Sequence, residues 1–386
     1  MTMTINNEHK KLNVPNLRFP EFQGEWKRTI FKNVITLQRG SSPRPIIEYV
    51  TTSDDGVNWI KIGDMPHFGR IVTSTEEKIT KEGAKKSRQV NKGDLILSNS
   101  MSYGLPYIMG IDGYIHDGWF VLKNFENTFD KDYLCNLLIS SAIQNQYKRL
   151  AAGGVVQNIS SDLVNSVSVS IPTMMEQKKI SSLLNLIDER IATQNKIIDK
   201  LQSLIKGIRN DVFGKLRKDI GLNAKVGDVL SYEQPQPYIV EDTEYTAGGT
   251  PVLTANKAFV LGYTSETDGI YDKGDCIIFD DFTLDCKYVD FPFKVKSSAI
   301  KILTAKNKEL LRYTFEFLKY LDLSTDEHKR HYIAETQNQE FILPTTQIVR
   351  TIAHAFSTLS SRMQTIVKQR DMLELQKQYL LRQMFI

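Results

Sequence analysis

The sequence has few cysteines and no long apolar run. Its 386 residues include three cysteines, Cys135, Cys276 and Cys286, and no pair of them has CxxC spacing. A disulfide framework and a structural zinc site are therefore disfavoured. No stretch of eighteen apolar residues occurs, so we expect no membrane-spanning helix. The first eleven residues are polar and contain no apolar signal region, which predicts a cytoplasmic location.

The usual motifs for catalysis are also missing. The chain has no GxGxxG after a predicted strand, no GxxxxGK[ST] phosphate loop, and no Asn/Asp-Pro-Pro-aromatic motif for adenine methylation. We therefore expect a non-enzymatic chain that holds no cofactor and no metal of its own. Asp281, Asp285 and Lys287 have a spacing that a metal nuclease could use, but acidic strand ends often produce it.

The net charge of +4 is small and unevenly distributed. Acidic residues outnumber lysine and arginine between residues 215 and 344, whereas the segment 345–386 is basic. Strong non-specific binding to nucleic acid usually needs a larger positive charge. If the chain holds DNA, it must use local patches or share the work with a partner.

The chain does contain an internal repeat with an offset of 172 residues. In two long segments apolar residues recur at alternating steps of four and three, which is a heptad seam that lasts more than four heptads. A zipper between two chains would give the same pattern, but equal helices that bracket a domain-sized insertion favour an antiparallel pair within one chain. The predicted seam comprises Ile180, Leu184, Ile187, Ile191, Ile198, Leu201 and Ile205, then Ile352, Phe356, Leu359, Met363, Ile366 and Leu373.

The segments before the two helices resemble each other as well. Each has a Lys-Gly-Asp turn ahead of a short apolar strand, at 92–94 and at 273–275. Thr173 and Glu176 form a capping box at the start of the first helix, and Gly214 is a plausible end. We predict an α+β fold of two tandem α/β domains separated by two long antiparallel coiled-coil helices. The predicted segments are a flexible N-terminus 1–13, a first domain 14–172, a first helix 173–214, a second domain 215–344 and a second helix 345–386.

Several short motifs, in their order along the chain, resemble those of type I restriction–modification specificity subunits. They are Val14 to Phe22 with Trp26, Arg39-Gly40-Ser41-Ser42-Pro43, Trp59 to Asp64, Gly93 to Ser98, Ile171-Pro172 with Glu176 to Ile180, Phe279 to Thr283 and Asp290 to Ala299. No single motif is decisive, but their order together with the helix repeat is specific and covers nearly the whole chain. The second helix departs from the pattern, because it opens with Pro344-Thr345-Thr346-Gln347-Ile348-Val349 and lacks the Glu-Gln pair that the first has at Glu176-Gln177.

The resemblance implies a DNA-binding subunit that catalyses nothing itself. Each α/β domain would be a target recognition domain that reads one half of a bipartite site in double-stranded DNA. The helices would set the gap between the halves and dock two copies of the modification subunit, which carries S-adenosylmethionine. A restriction subunit using ATP and Mg would join for cleavage. The alternatives are a coiled-coil scaffold joining two binding modules unrelated to DNA and, less favoured, a metal-dependent nuclease.

Candidate DNA contacts follow from the chemistry of base edges and phosphates. Base readout needs forked donors and acceptors on loops, and phosphate contacts need cations and hydroxyls. Any one such residue is more often a solvated surface residue, so clusters are more informative. The first domain offers Arg39, Ser41, Arg44, Lys85, Lys86, Arg88, Ser98, Asn99, Ser102, Tyr103, Gln157 and Asn158. The second domain offers Asn256, Lys257, Thr283, Lys287, Lys294, Lys296, Lys329 and Arg330.

Overall fold

The structure is a computed structural model that describes residues 12–66, 68–99, 104–151, 159–255, 259–325 and 329–386. The chain divides into two units, each of which is described by itself. Unit 1 contains the chain up to Asn195 together with Lys368–Ile386, and unit 2 contains Lys196–Val367. No helix in the described part of the chain has both the length and the apolar character that a bilayer crossing requires.

Unit 1 is an α/β domain followed by a long helix. Its helices are α1 (Lys81–Ala84), α2 (Lys131–Ile139), α3 (Ser141–Ala151), α4 (Ser161–Ser166), the first part of α5 (Met174–Asp219) and the last part of α8 (Thr346–Gln383). Its strands are β1 (Lys27–Ile30), β2 (Thr36–Arg39), β3 (Val50–Thr51), β4 (Val57–Ile60), β5 (Ile71–Val72), β6 (Glu77–Ile79), β7 (Arg88–Val90), β8 (Leu95–Ser98), β9 (Pro106–Met109), β10 (Gly113–Ile115), β11 (Trp119–Lys123) and β12 (Ser168–Ile171).

The central sheet of unit 1 has the strand order β2-β11-β8-β9-β5 and is covered on both faces. Because side chains alternate along a strand, Leu95 and Leu97 of β8 face the core that contains α2, whereas Ile96 faces the opposite core. That second core lies against the sheet β3-β6-β4-β10-β7. The apolar run of β8 is therefore a strand buried on both sides, as its composition predicts.

Unit 2 repeats this arrangement with shorter connections. Its sheet β14-β20-β17-β18 has the antiparallel neighbours of β2-β11-β8-β9, and its parallel pair β15–β19 corresponds to β4–β10. The internal repeat thus extends from the helices to the strand pairing. Its helices are α6 (Val226–Val229) and α7 (Leu310–Leu321), besides parts of α5 and α8, and its strands are β13 (Ala224–Lys225), β14 (Leu230–Glu233), β15 (Thr250–Leu253), β16 (Val260–Thr264), β17 (Cys276–Asp280), β18 (Cys286–Val289), β19 (Lys294–Val295), β20 (Ile300–Ala305) and β21 (Glu340–Phe341).

Helices α5 and α8 pack together in antiparallel orientation. In unit 1, Lys377 pairs with Asp188, and Arg370 donates to Asn195 Oδ1 at 3.5 Å. Asn195 comes later in α5 than Asp188, and its partner Arg370 comes earlier in α8 than Lys377, as antiparallel helices require. Among the predicted seam residues Ile180, Leu184, Ile187, Ile198, Ile205 and Phe356 are buried, and Ile191, Leu201, Ile352, Leu359, Met363, Ile366 and Leu373 are half-buried.

The end of α5 differs from the one expected from the sequence. α5 continues through Gly214 to Asp219, because Phe213 and Leu216 are held in the core of unit 2 and the left-handed residue is Gly221, with φ +77°. Helices α2 and α3 follow each other directly and are separated at Ser140, whose extended backbone ends α2 and whose carbonyl accepts the first N–H groups of α3.

The start of α5 is tied to the N-terminal segment of unit 1. Thr173 Oγ1 accepts the Glu176 N–H at 3.3 Å, which is one half of the predicted capping box. The Glu176 carboxylate instead accepts two bonds from Arg18, at 2.7 and 2.9 Å, and one from Trp26 Nε1 at 3.3 Å. This buried carboxylate therefore joins the Arg18 and Trp26 motif to the helix, a role that sequence spacing did not predict.

Candidate nucleic-acid interface

The loop between β10 and β11 gathers side chains from distant parts of unit 1. Asp117 on this loop accepts a bond from the Ser42 hydroxyl at 2.7 Å, and its carboxylate lies 3.4 Å from the Arg44 guanidinium. Its carbonyl accepts bonds from Arg39 Nε at 3.2 Å and Asn99 Nδ2 at 2.9 Å. We call these five residues the Asp117 cluster. Asp117, the acidic residue at the centre of the cluster, was not among the candidates that the sequence suggested.

Glycine at position 40 allows the cluster to form. A Cβ added to Gly40 would lie 1.9 Å from the carbonyl oxygen of His116, so any other residue would force the two loops apart. The Gly40 N–H donates to Trp119 at 2.8 Å and the Ser41 N–H to Ile115 at 3.2 Å. The loop after β2 is thus fixed by its backbone, and it carries the exposed side chain of Arg44.

A second basic segment adjoins the Asp117 cluster. The Ser41 hydroxyl donates to the carbonyl of Lys86 at 3.0 Å, and Arg88 Nε donates to the carbonyl of Arg39 at 3.2 Å. Lys86 bonds the Tyr49 hydroxyl and lies over its ring. We call the exposed cations of these adjoining loops the basic patch: Arg39, Arg44, Lys85, Lys86 and Arg88.

Ser98 and Asn99 are buried, and their side chains support the loops instead of facing solvent. Ser98 Oγ accepts the Leu105 N–H at 3.0 Å, and the Asn99 N–H donates to Gly118 at 3.0 Å. We therefore assign them a supporting position, although the sequence suggested direct readout. The candidates Ser102, Tyr103, Gln157, Asn158, Asn256 and Lys257 lie outside the residues that the structure describes.

His116 holds the turn that presents Asp117. Its Nδ1 accepts the Gly118 N–H at 2.8 Å, and its ring lies beside those of Trp59 and Trp119. Burial lowers the pKa of His116 below its ordinary value of 6.5, against the opposing effects of Asp117 and Asp64. A protonated Nδ1 cannot accept a hydrogen bond, so the turn requires the neutral ring.

We expect acid to destabilise unit 1 through His116. The His116 ring binds a proton more readily in the unfolded chain than in the folded one, because its pKa is lowered on folding. The contribution of the neutral ring to stability is therefore complete above pH 6.5 and is lost as the pH falls from there through the lowered folded pKa. One proton contributes a slope of at most about 1.4 kcal/mol per pH unit. In the variant His116→Asn the side-chain oxygen can still accept the N–H two residues ahead. Urea unfolding across this pH range should show a smaller slope for the variant, and equal slopes would contradict the assignment.

Unit 2 builds an equivalent backbone junction around Asp281. The Asp281 N–H donates to Ala299 at 2.8 Å and its carbonyl accepts the His331 N–H at 3.0 Å. Asn99 makes the same two bonds in unit 1, to Gly118 at 3.0 Å and from Ile159 at 2.7 Å. The two units therefore present their candidate loops at the same point of the fold.

Arg330 is the exposed cation closest in the chain to this junction. Its guanidinium donates to the Ser298 carbonyl at 3.1 Å, lies 3.5 Å from the Asp281 carboxylate and sits over the Phe282 ring at 5.5 Å. Thr283 on the neighbouring turn is exposed, as are Lys296 and Lys329. Arg330, Thr283, Lys296 and Lys329 are therefore the accessible candidates of unit 2.

Lys294 and Lys287 are less accessible than the sequence suggested. Lys294 is buried, with its ammonium 2.6 Å from Glu266 and donating to the Asp268 carbonyl at 2.7 Å. Lys287 is half-buried and lies 3.3 Å from Asp285. A DNA contact from Lys294 would require breaking a buried ion pair, so we place it among the supporting residues.

The carboxylates that suggested a nuclease have structural partners. Asp281 Oδ1 accepts the backbone N–H groups of His331 at 3.1 Å and Tyr332 at 2.8 Å. Asp285 instead bonds Lys319 at 3.0 Å. Within the described ranges, no group of three or more His, Cys, Asp or Glu side chains is placed to hold a metal ion.

Comparison with known proteins identifies relatives of this chain. Residues 24–203 match the family model for the type I restriction modification DNA specificity domain. The specificity subunit of type I restriction enzyme EcoR124I/EcoR124II of Escherichia coli is 45% identical over 126 residues, which cover 31% of each protein. The MjaVIII specificity subunit of Methanocaldococcus jannaschii is 25% identical over 222 residues, covering 54% of this chain and 50% of the relative. The chain thus spans about a third to a half of the length of the curated relatives it matches.

The fold has solved counterparts. A type I restriction–modification S subunit from M. genitalium is similar with a TM-score of 0.62 and 15% identity, over 97% of this chain and 99% of that one. This likeness shows a shared arrangement of two α/β domains, each followed by a long helix. The chain is thus similar to type I restriction enzyme specificity subunits in sequence over part of its length, and it shares the fold of the M. genitalium S subunit over nearly all of it.

Proposed function

We propose that this chain is the DNA-reading subunit of a type I restriction–modification complex and that it catalyses no reaction itself. Each α/β domain reads one half of a bipartite, asymmetric site. The observation that carries the proposal is the repeated junction at Asn99 and Asp281, which presents exposed loops with cations at the same point of both domains. Two half-site readers in one chain need such a repeat.

The basic patch of unit 1 has the chemistry for this task. Arg44 is 81% exposed and has Asp117 as a partner that remains open to solvent, so a phosphate can replace that partner at small cost. Arg39 and Arg88 present forked donors that suit guanine in the major groove, and Lys85 and Lys86 suit phosphates. Ser41 and Ser42 fix the loop after β2, which carries Arg44.

The helices fit a second part of the proposal, in which they set the gap and dock two modification subunits. In unit 1, Leu186 and Met372 are exposed apolar side chains that line one groove between α5 and α8. Exposed apolar side chains grouped on one face commonly mark protein interfaces. The modification subunits would bring S-adenosylmethionine, and a restriction subunit would bring ATP-dependent cleavage.

Neutralising the basic patch tests the DNA-reading role. In the complex with the modification subunit, Arg44→Ala combined with Lys86→Ala should weaken DNA binding. The slope of the logarithm of the binding constant against the logarithm of the salt concentration should become less steep by about one for each phosphate that is no longer bound. Adding Arg39→Ala, which removes a donor assigned to base edges, should make the bases of only one half-site less strictly required, and sequencing of methylated DNA measures this. Lys32→Ala is the matched control, because this lysine is also exposed but is not part of the basic patch: it precedes β2, whereas Arg39 ends that strand. Relaxed recognition of both halves would contradict the proposal.

A further inference from the structure

A buried Arg–Glu–Arg cluster joins the α/β domain of unit 2 to the long helices. Glu316 of α7 has a side chain that is 1% exposed. Arg209 of α5 donates to its Oε2 through Nε at 2.9 Å and through a terminal nitrogen at 2.7 Å. Arg312 of α7 donates to its Oε1 at 2.7 Å, and both arginine side chains are 13% exposed. One carboxylate thus fixes two arginines in a defined geometry.

The same cluster reaches α8. Arg312 donates to the Phe356 carbonyl at 3.3 Å and bonds the Ser360 hydroxyl. The Arg209 guanidinium lies 5.9 Å from the centre of the Phe356 ring. The domain helix α7 is therefore connected by directional bonds to both α5 and α8.

Stability alone does not explain a cluster of this kind. Removing charged groups from water costs free energy, and well-packed apolar residues in place of a buried ionic triad are often equally or more stabilising. Phe213 of α5 already packs between Tyr313 and Phe317 of α7 and supplies apolar contact. Apolar contacts tolerate small rotations, whereas a two-bond arginine–carboxylate pair has one preferred geometry.

Unit 1 has a related contact at the corresponding position. Asn136 lies three residues after Tyr133 in α2, as Glu316 lies three residues after Tyr313 in α7, and both are fully or almost fully buried. Arg70 donates to Asn136 Oδ1 and to Asp188 of α5, each at 3.0 Å. In each unit the domain helix therefore holds one buried polar side chain that accepts a bond from an arginine. In unit 1 this arginine also bonds α5, and in unit 2 it belongs to α5.

We propose that Arg209, Glu316 and Arg312 are positioning residues that set the angle at which the second domain is held on the helix pair. By fixing this angle they limit the gaps between half-sites that the assembled complex accepts. The inference rests on the proposed function, because it concerns how a reader of bipartite DNA is held. It assigns gap tolerance to buried residues that need not touch DNA.

An apolar replacement of the cluster tests the inference. The triple variant Arg209→Met, Glu316→Leu and Arg312→Met avoids unpaired buried charge, so we expect it to fold. In the complex with the modification subunit, methylation is measured on a DNA library in which only the gap length varies. The preference for the best gap over gaps one base pair longer or shorter should fall by about tenfold. The bases read in each half should stay the same.

Controls separate positioning from simple stabilisation. Arg350 of α8 pairs with Glu309, next to α7, at 2.6 Å, but both side chains are well exposed. The variant Arg350→Met with Glu309→Leu should therefore keep the wild-type gap profile. Arg209→Lys, which keeps the charge but not the two-bond geometry, should give an intermediate profile and decides the question if the triple variant fails to fold.

Two results would count against different conclusions. An unchanged gap profile in a folded triple variant, or in Arg209→Lys where the triple variant is unfolded, would overturn the positioning role. If the wild-type complex methylates no bipartite site, the proposed function itself fails.

Discussion

Inserting one heptad into each long helix at the junction of the two units should lengthen the accepted gap between half-sites by about three base pairs. Seven residues add about 10 Å of helix, and base pairs are about 3.4 Å apart. The insertions follow Asn195 in α5 and precede Lys368 in α8, where one unit ends and the other begins. A heptad keeps the seam in phase, so the bases read in each half should not change.

Placing insertions in both helices keeps the contacts inside each unit. The Asp188–Lys377 pair of unit 1 and the Arg209–Phe356 contact of unit 2 both lie outside the inserted segments. An insertion in α5 alone is the control, because it shifts one helix against the other and should abolish activity. Methylation on a library of gap lengths is the measurement. If the double insertion keeps the original gap at full activity, the helices are not the spacer and serve mainly as a docking surface.

The helix pair was predictable from the sequence because a heptad seam is a local pattern. The spacing from Ile180 and from Ile352 determines which faces are apolar, and two equal seams bracketing a domain favour an antiparallel pair. The end of α5 was less predictable, because Gly214 weakens a helix only when nothing else holds the turn. Here Phe213 and Leu216 are anchored in the core of unit 2.

The candidate site was predictable only in part. Arg39, Arg44, Lys86 and Arg88 could be proposed from residue type, and the structure brings them onto adjoining loops. Asp117 carried no signal, because its role depends on β10 and β11 returning beside β2. The burial of Lys294 was equally hidden, since Glu266 is distant in sequence. Contacts that depend on long-range pairing of strands leave no local pattern.

The substitution Glu176→Gln should destabilise unit 1 by about 3 kcal/mol. The carboxylate is buried and accepts both bonds of the Arg18 fork, and the neutral amide can offer only one oxygen to these donors. Arg18 is itself only 16% exposed and would be left as a poorly compensated charge. The chain's three tryptophans, Trp26, Trp59 and Trp119, all belong to unit 1, so their fluorescence in urea reports the unfolding of this unit.

A second substitution identifies the physical cause of that destabilisation. Replacing both partners, Arg18→Met with Glu176→Leu, removes the unpaired charge and should recover a large part of the stability, because apolar pairs can replace buried ion pairs. Glu189→Gln is the control for charge on α5, and at this exposed position we expect a change of at most about 0.5 kcal/mol. If the double variant is as unstable as Glu176→Gln, then the Trp26 bond and local packing stabilise the start of α5 more than the ion pair does. A Glu176→Gln transition that coincides with the wild type would mean that the Arg18 segment contributes little to holding unit 1 together.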